Sequence, residues 1–142
     1  MSIRLQPTND QEAFDMVVRH LGTMPRRAMD ESGSDCAYYN PDTGMRCAIG
    51  GILILETEYD LCEAEQLGGS VSRHIDAGDI VGDRRLDVRL LQKLQETHDS
   101  SYNWLDERDG RGFSGWEILR DVARDFGLHA DVIEEARNAP IG

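Results

Sequence analysis

Lysine is almost missing from this chain: Lys93 is the only one, and the other fourteen bases are arginine. Arginine codons are mostly GC-rich, so the skew points to a GC-rich genome and carries no mechanism. Bases of either kind are outnumbered, 15 against 27 acids, which gives a formal net charge of −12. A surface of that sign repels a phosphate backbone, so direct nucleic-acid binding is excluded as an expectation. A long apolar run is also missing. None approaches the roughly 18 residues of a membrane span, and the opening "MSIRLQPTND" has no apolar core of a signal peptide. The expectation is a cytoplasmic protein, away from membranes.

Cysteine is scarce as well, with three in 142 residues. Three are too few for a disulfide framework, and without a signal peptide they read as reduced thiols. No C-x-x-C and no H-x-x-x-H pair occurs, so zinc-ligand spacing is absent and no metal or other cofactor is expected. No Walker loop, GxGxxG stretch, internal repeat or low-complexity segment is found.

What is present is a small domain's worth of periodic apolar blocks, within a hydrophobic fraction of 39%. Residues 10–21 carry Phe14, Val17, Val18 and Leu21 at i, i+3, i+4 and i+7, one helical stripe. Thr8 with Gln11, or Asn9 with Glu12, supplies a capping box, and Gly22 suits the residue after the helix. A short helix is predicted over 70–77 and a loop over 78–85. A second strong helix over 86–98 has Leu90, Leu91, Leu94 and His98 along one face. A third starts at Ser114, boxed with Glu117, buries Ile118, Leu119, Val122 and Phe126, and stops at Gly127. A last short helix is predicted over 130–138.

The segment "CAYYNPDTGMRCAIGG", residues 36–51, reads as a hairpin closed by a Pro41–Gly44 turn. In that register Asn40 opposes Met45, Tyr38 opposes Cys47, and Cys36 opposes Ile49. Both cysteines then share a face with Tyr38 and Ile49. The apolar run "AIGGILIL", residues 48–55, extends the second strand or opens a buried helix, and Gly50–Gly51 allows a close backbone approach. The fold class that results is α+β: one mostly helical domain over 1–142, with one small β-hairpin at about 36–49.

The spacing Cys36-x-Tyr38, followed by Gly44-Met45-Arg46-Cys47-Ala48-Ile49-Gly50, resembles a family of small proteins from bacteriophages and proteobacterial genomes. That family shares a C-x-Y…G-x-[KR]-C-A-[IV]-G core. Leu94-Gln95, His98-Asp99, Trp104 or Trp116, and Phe126-Gly127-Leu128 match its weaker downstream pattern, so the resemblance spans roughly residues 10–128. After Gly50 this chain lacks the proline turn usual there. The resemblance implies a phage or prophage origin and assigns no catalytic residue.

Three groups of residues are candidates for function. Cys47, with Cys36, would be a thiol site only if a cation or helix N-terminus lowered its pKa; otherwise the two are small apolar residues of the core. His98-Asp99, with a distant His20 or His74 and a later Asp121 or Asp125, has the elements of an HD-type metal phosphohydrolase; the plainer reading is a helix-end pair. The stretch 56–65 holds Glu56, Glu58, Asp60, Glu63 and Glu65 with no base, interrupted by Tyr59 and Leu61. An acidic rim around apolar anchors is the composition of a contact surface for a basic protein partner. Trp104 and Trp116 anchor a loop or form a second contact patch. The leading expectation is therefore a non-enzymatic, acidic accessory protein that binds another protein and inhibits a host factor or defence system. A small hydrolase or thiol enzyme, a small-ligand sensor, and self-association into a homodimer are the alternatives.

Overall fold

The computed structural model describes residues 2–30, 32, 33 and 35–141. Six helices carry the fold among them: α1 (Asp10–Thr23), α2 (Glu58–Gln66), α3 (Val71–Ala77), α4 (Val88–Asp99), α5 (Trp116–Asp125) and α6 (Val132–Arg137). Two short strands, β1 (Ile3–Arg4) and β2 (Ile80–Val81), pair in parallel with Ile3 opposite Ile80. The α+β class and the mostly helical content stand.

Helix α1 begins where expected. The Asn9 side chain accepts from the Glu12 N–H at 2.9 Å, while the Glu12 carboxylate turns back to the Thr8 N–H and hydroxyl. Phe14, Val17, Val18 and Leu21 are all fully buried, against α6 and α4. Gly22 does not end the helix. It lies within it, and a Cβ there would stand 2.8 Å from the Ala136 carbonyl oxygen of α6. Glycine at this position lets two helix backbones approach.

The expected hairpin is not formed. The chain does reverse at the Pro41–Gly44 turn, with the Asn40 N–H donating to the Met45 carbonyl at 3.0 Å and the Cys47 N–H to Ala37 at 3.1 Å. No strand ladder grows from that reversal. Past Cys47 the backbone coils at once, the Gly51 N–H returning to the Cys47 carbonyl and Gly50–Ile52 forming a single 3₁₀ turn. Ile49 is thereby carried away from Cys36, which bridges Met29 instead. The coil requires glycine, since a Cβ on Gly50 would overlap the Tyr38 carbonyl and one on Gly51 the His20 ring. Residues 48–55 are thus neither a strand extension nor a long buried helix. Their end runs antiparallel beside β1, where Ile54 donates to Arg4 and Gln6 to Ile52, each at 2.8 Å.

Two further corrections fall near α5. Ser114 makes no capping box; Gly115 precedes the helix without a side-chain cap, and the Ser114 N–H donates to Asn103 at 2.7 Å. The Trp104–Phe113 bridge holds this segment extended, so the helix starts at Trp116. Ile118 consequently turns outward and is exposed, and Ala123 takes its place beside Leu119 and Val122. The loop expected over 78–85 contains β2, placed by Ile3 and Leu5 donating to Asp79 and Val81.

Candidate functional site

The C-terminal half of α4 carries the buried polar residues Gln95, Thr97 and His98. Gln95, His98 and Asp99 stand at i, i+3 and i+4 and so share a face of the helix. His98 is fully buried. Its Nε2 accepts from the Ala28 N–H at 3.1 Å, and its Nδ1 lies 2.8 Å from Asp99 Oδ1. An N–H can only donate, so Nε2 carries the lone pair and Nδ1 carries the proton given to Asp99. Gln95 joins the same carboxylate oxygen through Nε2 at 3.1 Å, and its Oε1 accepts from the Ile49 N–H. The His98 carbonyl takes the Trp104 indole N–H at 2.8 Å. Arg27 closes the end of the helix, donating to the Asp99 carbonyl while its guanidinium pairs with Glu107 at 2.9 Å.

Cys36 lies beside this pair: the ligand atoms of Cys36, His98 and Asp99 all fall within 4.8 Å of one another. The donor set of one thiol, one imidazole and one carboxylate would suit zinc by type. The imidazole argues otherwise. A metal on Nδ1 would leave the ring proton on Nε2, facing the Ala28 N–H donor to donor. Metal-bound histidines place an acceptor at the second nitrogen, and here a backbone donor occupies it.

The thiols are not primed for attack. Burial, with the Asp99 carboxylate next, pushes Cys36 up to about 12. Its Sγ rests 3.8 Å from the Met29 sulfur. Cys47 is completely buried and is also pushed up to about 12 by desolvation, although the Gly50 N–H donates to its sulfur at 3.3 Å. A nucleophilic thiol needs the opposite shift. The remaining parts of the HD-type set do not assemble. His20 donates to the Arg46 carbonyl from Nε2, and burial lowers its pKa. His74 is held by Asp79 and the Gly68 carbonyl. Asp121 and Asp125 sit exposed on α5, paired with Arg124.

Trp104 and Trp116 belong to an edge-to-face row with His98 and Phe113, centroids 5.0 to 5.6 Å apart. Trp104 and Phe113 are buried and Trp116 is half-buried, so the row anchors the 100–116 loop onto α4.

The acidic stretch 56–65 is largely α2. Thr57 and Asp60 form a full capping box, and Asp60 also accepts from the Glu56 N–H at 3.1 Å. Ala64 is buried and Leu61 half-buried, so one side of the helix is seated. Glu56, Glu58 and Glu65 are exposed and Glu63 is half-exposed; none of these four forms an ion pair among the described residues. Tyr59 lies among them with 46% of its surface exposed.

Between the 35–41 segment and the α2–α3 connector lies a cleft of about 1160 Å³, floored by Gln92, Gln95 and Asp99 of α4. The connector's two carbonyls are pinned from below, Gly68 by His74 at 2.6 Å and Gly69 by the Tyr38 hydroxyl at 2.9 Å. Sequence reasoning did not find this cleft. The one signal was Gln95, a polar residue inside the leucine stripe of α4. Comparison with known protein families, with curated proteins and with solved structures finds no match to this chain.

Proposed function

We propose that this protein acts by binding rather than by catalysis, with α2 as its docking surface for a basic face of another protein. The observation that carries the reading is the acidic surface at α2: Glu58, Glu63 and Glu65 share the helix with exposed Tyr59, Glu56 lies just before it, none of the four has an ion pair among the described residues, and Ala64 and Leu61 seat the helix. A charged rim around an aromatic residue on a rigid support suits a partner-binding patch. Attraction at a net charge of −12 would act mainly on the association rate. With the phage-like cysteine core, the sharpest version is an accessory protein that blocks a host factor or defence system inside a bacterial cell. Affinity capture from host cells tests it. The captured partner should associate severalfold more slowly with the Glu56→Lys, Glu58→Lys, Glu63→Lys triple variant, at unchanged melting temperature. An unchanged rate returns the segment to solubility alone.

The second reading, a small metal hydrolase or thiol enzyme, is favoured by one observation, the convergence of Cys36, His98 and Asp99. The proton arrangement at His98 and the raised thiols weigh against it.

A further inference from the structure

The cleft beside α2 has a definite chemistry. Four carboxylates line it among the described residues: Asp30, Asp35, Glu65 and Asp99. The basic side chains at its wall are mostly committed. Arg27 is paired with Glu107, and the His74 ring is spent on Asp79 and Gly68. Arg73 alone lines the cleft with no ion pair to a described residue. Opening the cleft to a cation therefore lowers repulsion, whereas an anion would raise it.

Asp99 is the group most ready to receive that cation. Its side chain is 41% exposed although it stands on the floor. Two deeply buried partners, His98 and Gln95, both donate to Oδ1 and hold the carboxylate in one orientation. A receptor group held by packed neighbours loses little freedom on binding. Half-buried Tyr39 lines the same cleft, an aromatic side chain of the kind that attracts a planar cation. Size points to the source of the charge. The volume lies just above the roughly 300–1,000 Å³ of small-molecule sites, which leaves room for a peptide segment. Glu65 belongs both to α2 and to the rim, which makes the cleft continuous with the acidic helix face.

We infer that this cleft receives an arginine-bearing segment of the partner, with a guanidinium bound at Asp99 and Glu65 at the rim. The inference rests on the reading of α2 as a surface for a basic partner and names the side chain that the partner inserts.

The probe is acetyl-Gly-Arg-Gly-Arg-Gly-amide, with citrulline replacing arginine in the neutral control. Binding is followed by amide chemical shifts of the full chain at low salt. Arginine peptide should move the signals of residues 35–40, 65–70 and 99, and citrulline peptide should not. Asp99→Asn keeps an oxygen to accept from His98 and Gln95, and should weaken binding at least fivefold. Glu65→Gln, at the exposed rim, should weaken it about twofold to threefold. Glu96→Gln removes one charge from the same helix outside the cleft and should change affinity less than twofold. If Glu96→Gln matches Asp99→Asn, net charge explains the binding and the inference is overturned. Peptide binding lost in the α2 triple variant but kept in Asp99→Asn overturns the cleft and leaves α2 standing. The reverse pattern keeps the cleft and removes α2. Absence of binding to the arginine peptide overturns the cleft inference, while the partner association measurement still decides α2.

Discussion

Imidazole Nδ1 of His98 lies 2.8 Å from Oδ1 of Asp99, its neighbour in the chain, while the opposite ring nitrogen accepts from the Ala28 backbone. The dipeptide is thus a buried brace between α4 and the 27–30 segment, with only its carboxylate reaching solvent.

Replacing His98 with Phe should keep most of the volume and lose both bonds. The orphaned Ala28 N–H alone costs about 1–3 kcal/mol. Urea denaturation should show a loss of at least that size with an unchanged slope. Stability equal to the parent's would mean the brace contributes nothing.

The same proton arrangement bears on metal. Zinc added in equimolar amount should leave the melting temperature unchanged, and a chelator should do likewise. A rise of several degrees with one equivalent bound would require the His98 ring to have released Ala28, and would revive the hydrolase reading.

Cys47 gives a pH dependence. Its folded pKa, about 12, lies above the ordinary 9.0. The unfolded chain therefore loses the thiol proton first as pH rises. The stability of the neutral buried thiol is fully present below pH 9 and is lost as pH climbs towards 12, at up to about 1.4 kcal/mol per pH unit. Burial raises Cys36 and Tyr38 as well, in the same direction. Denaturation midpoints measured from pH 8 to 11 should fall, and Cys47→Ala should flatten the slope. In the native state at pH 8, exposed Cys62 should be alkylated far faster than the other two thiols.

Two glycines should resist the smallest substitution. Gly22→Ala would press a methyl group onto the Ala136 carbonyl between α1 and α6. Overpacking of this kind costs about 1–3 kcal/mol, against the roughly 1 kcal/mol that alanine otherwise gains inside a helix. Gly50→Ala also meets backbone, the Tyr38 carbonyl, but far closer than Gly22→Ala meets Ala136, and should be the worse of the two. Gly68→Ala, with open space around it, should be near neutral. Thermal melts of the three variants order them.

Local patterns carried the helices. The stripe Phe14, Val17, Val18, Leu21 and the Asn9 cap made α1 readable, and the leucines of α4 did the same, because a helix's bonds and its buried face are decided by residues three and four apart. The turn at Pro41–Gly44 was legible for the same reason. The partner of Cys36 was not. Asn40 and Met45 could be paired by counting back from the turn, but whether Ile49 continued the ladder depended on Gly50 packing against Tyr38 and on the coil that this contact permits. The β1–β2 pairing joins residues 77 positions apart and leaves only two-residue strands, too short for any alternation to show. The cleft is farther still from sequence, since Arg27, Cys36, Glu65, His74 and Asp99 come from five separate segments. The chain's own composition determined its charge and its helical segments. Tertiary packing alone decided which buried groups spend their protons on one another, and so left Asp99 facing an open cleft.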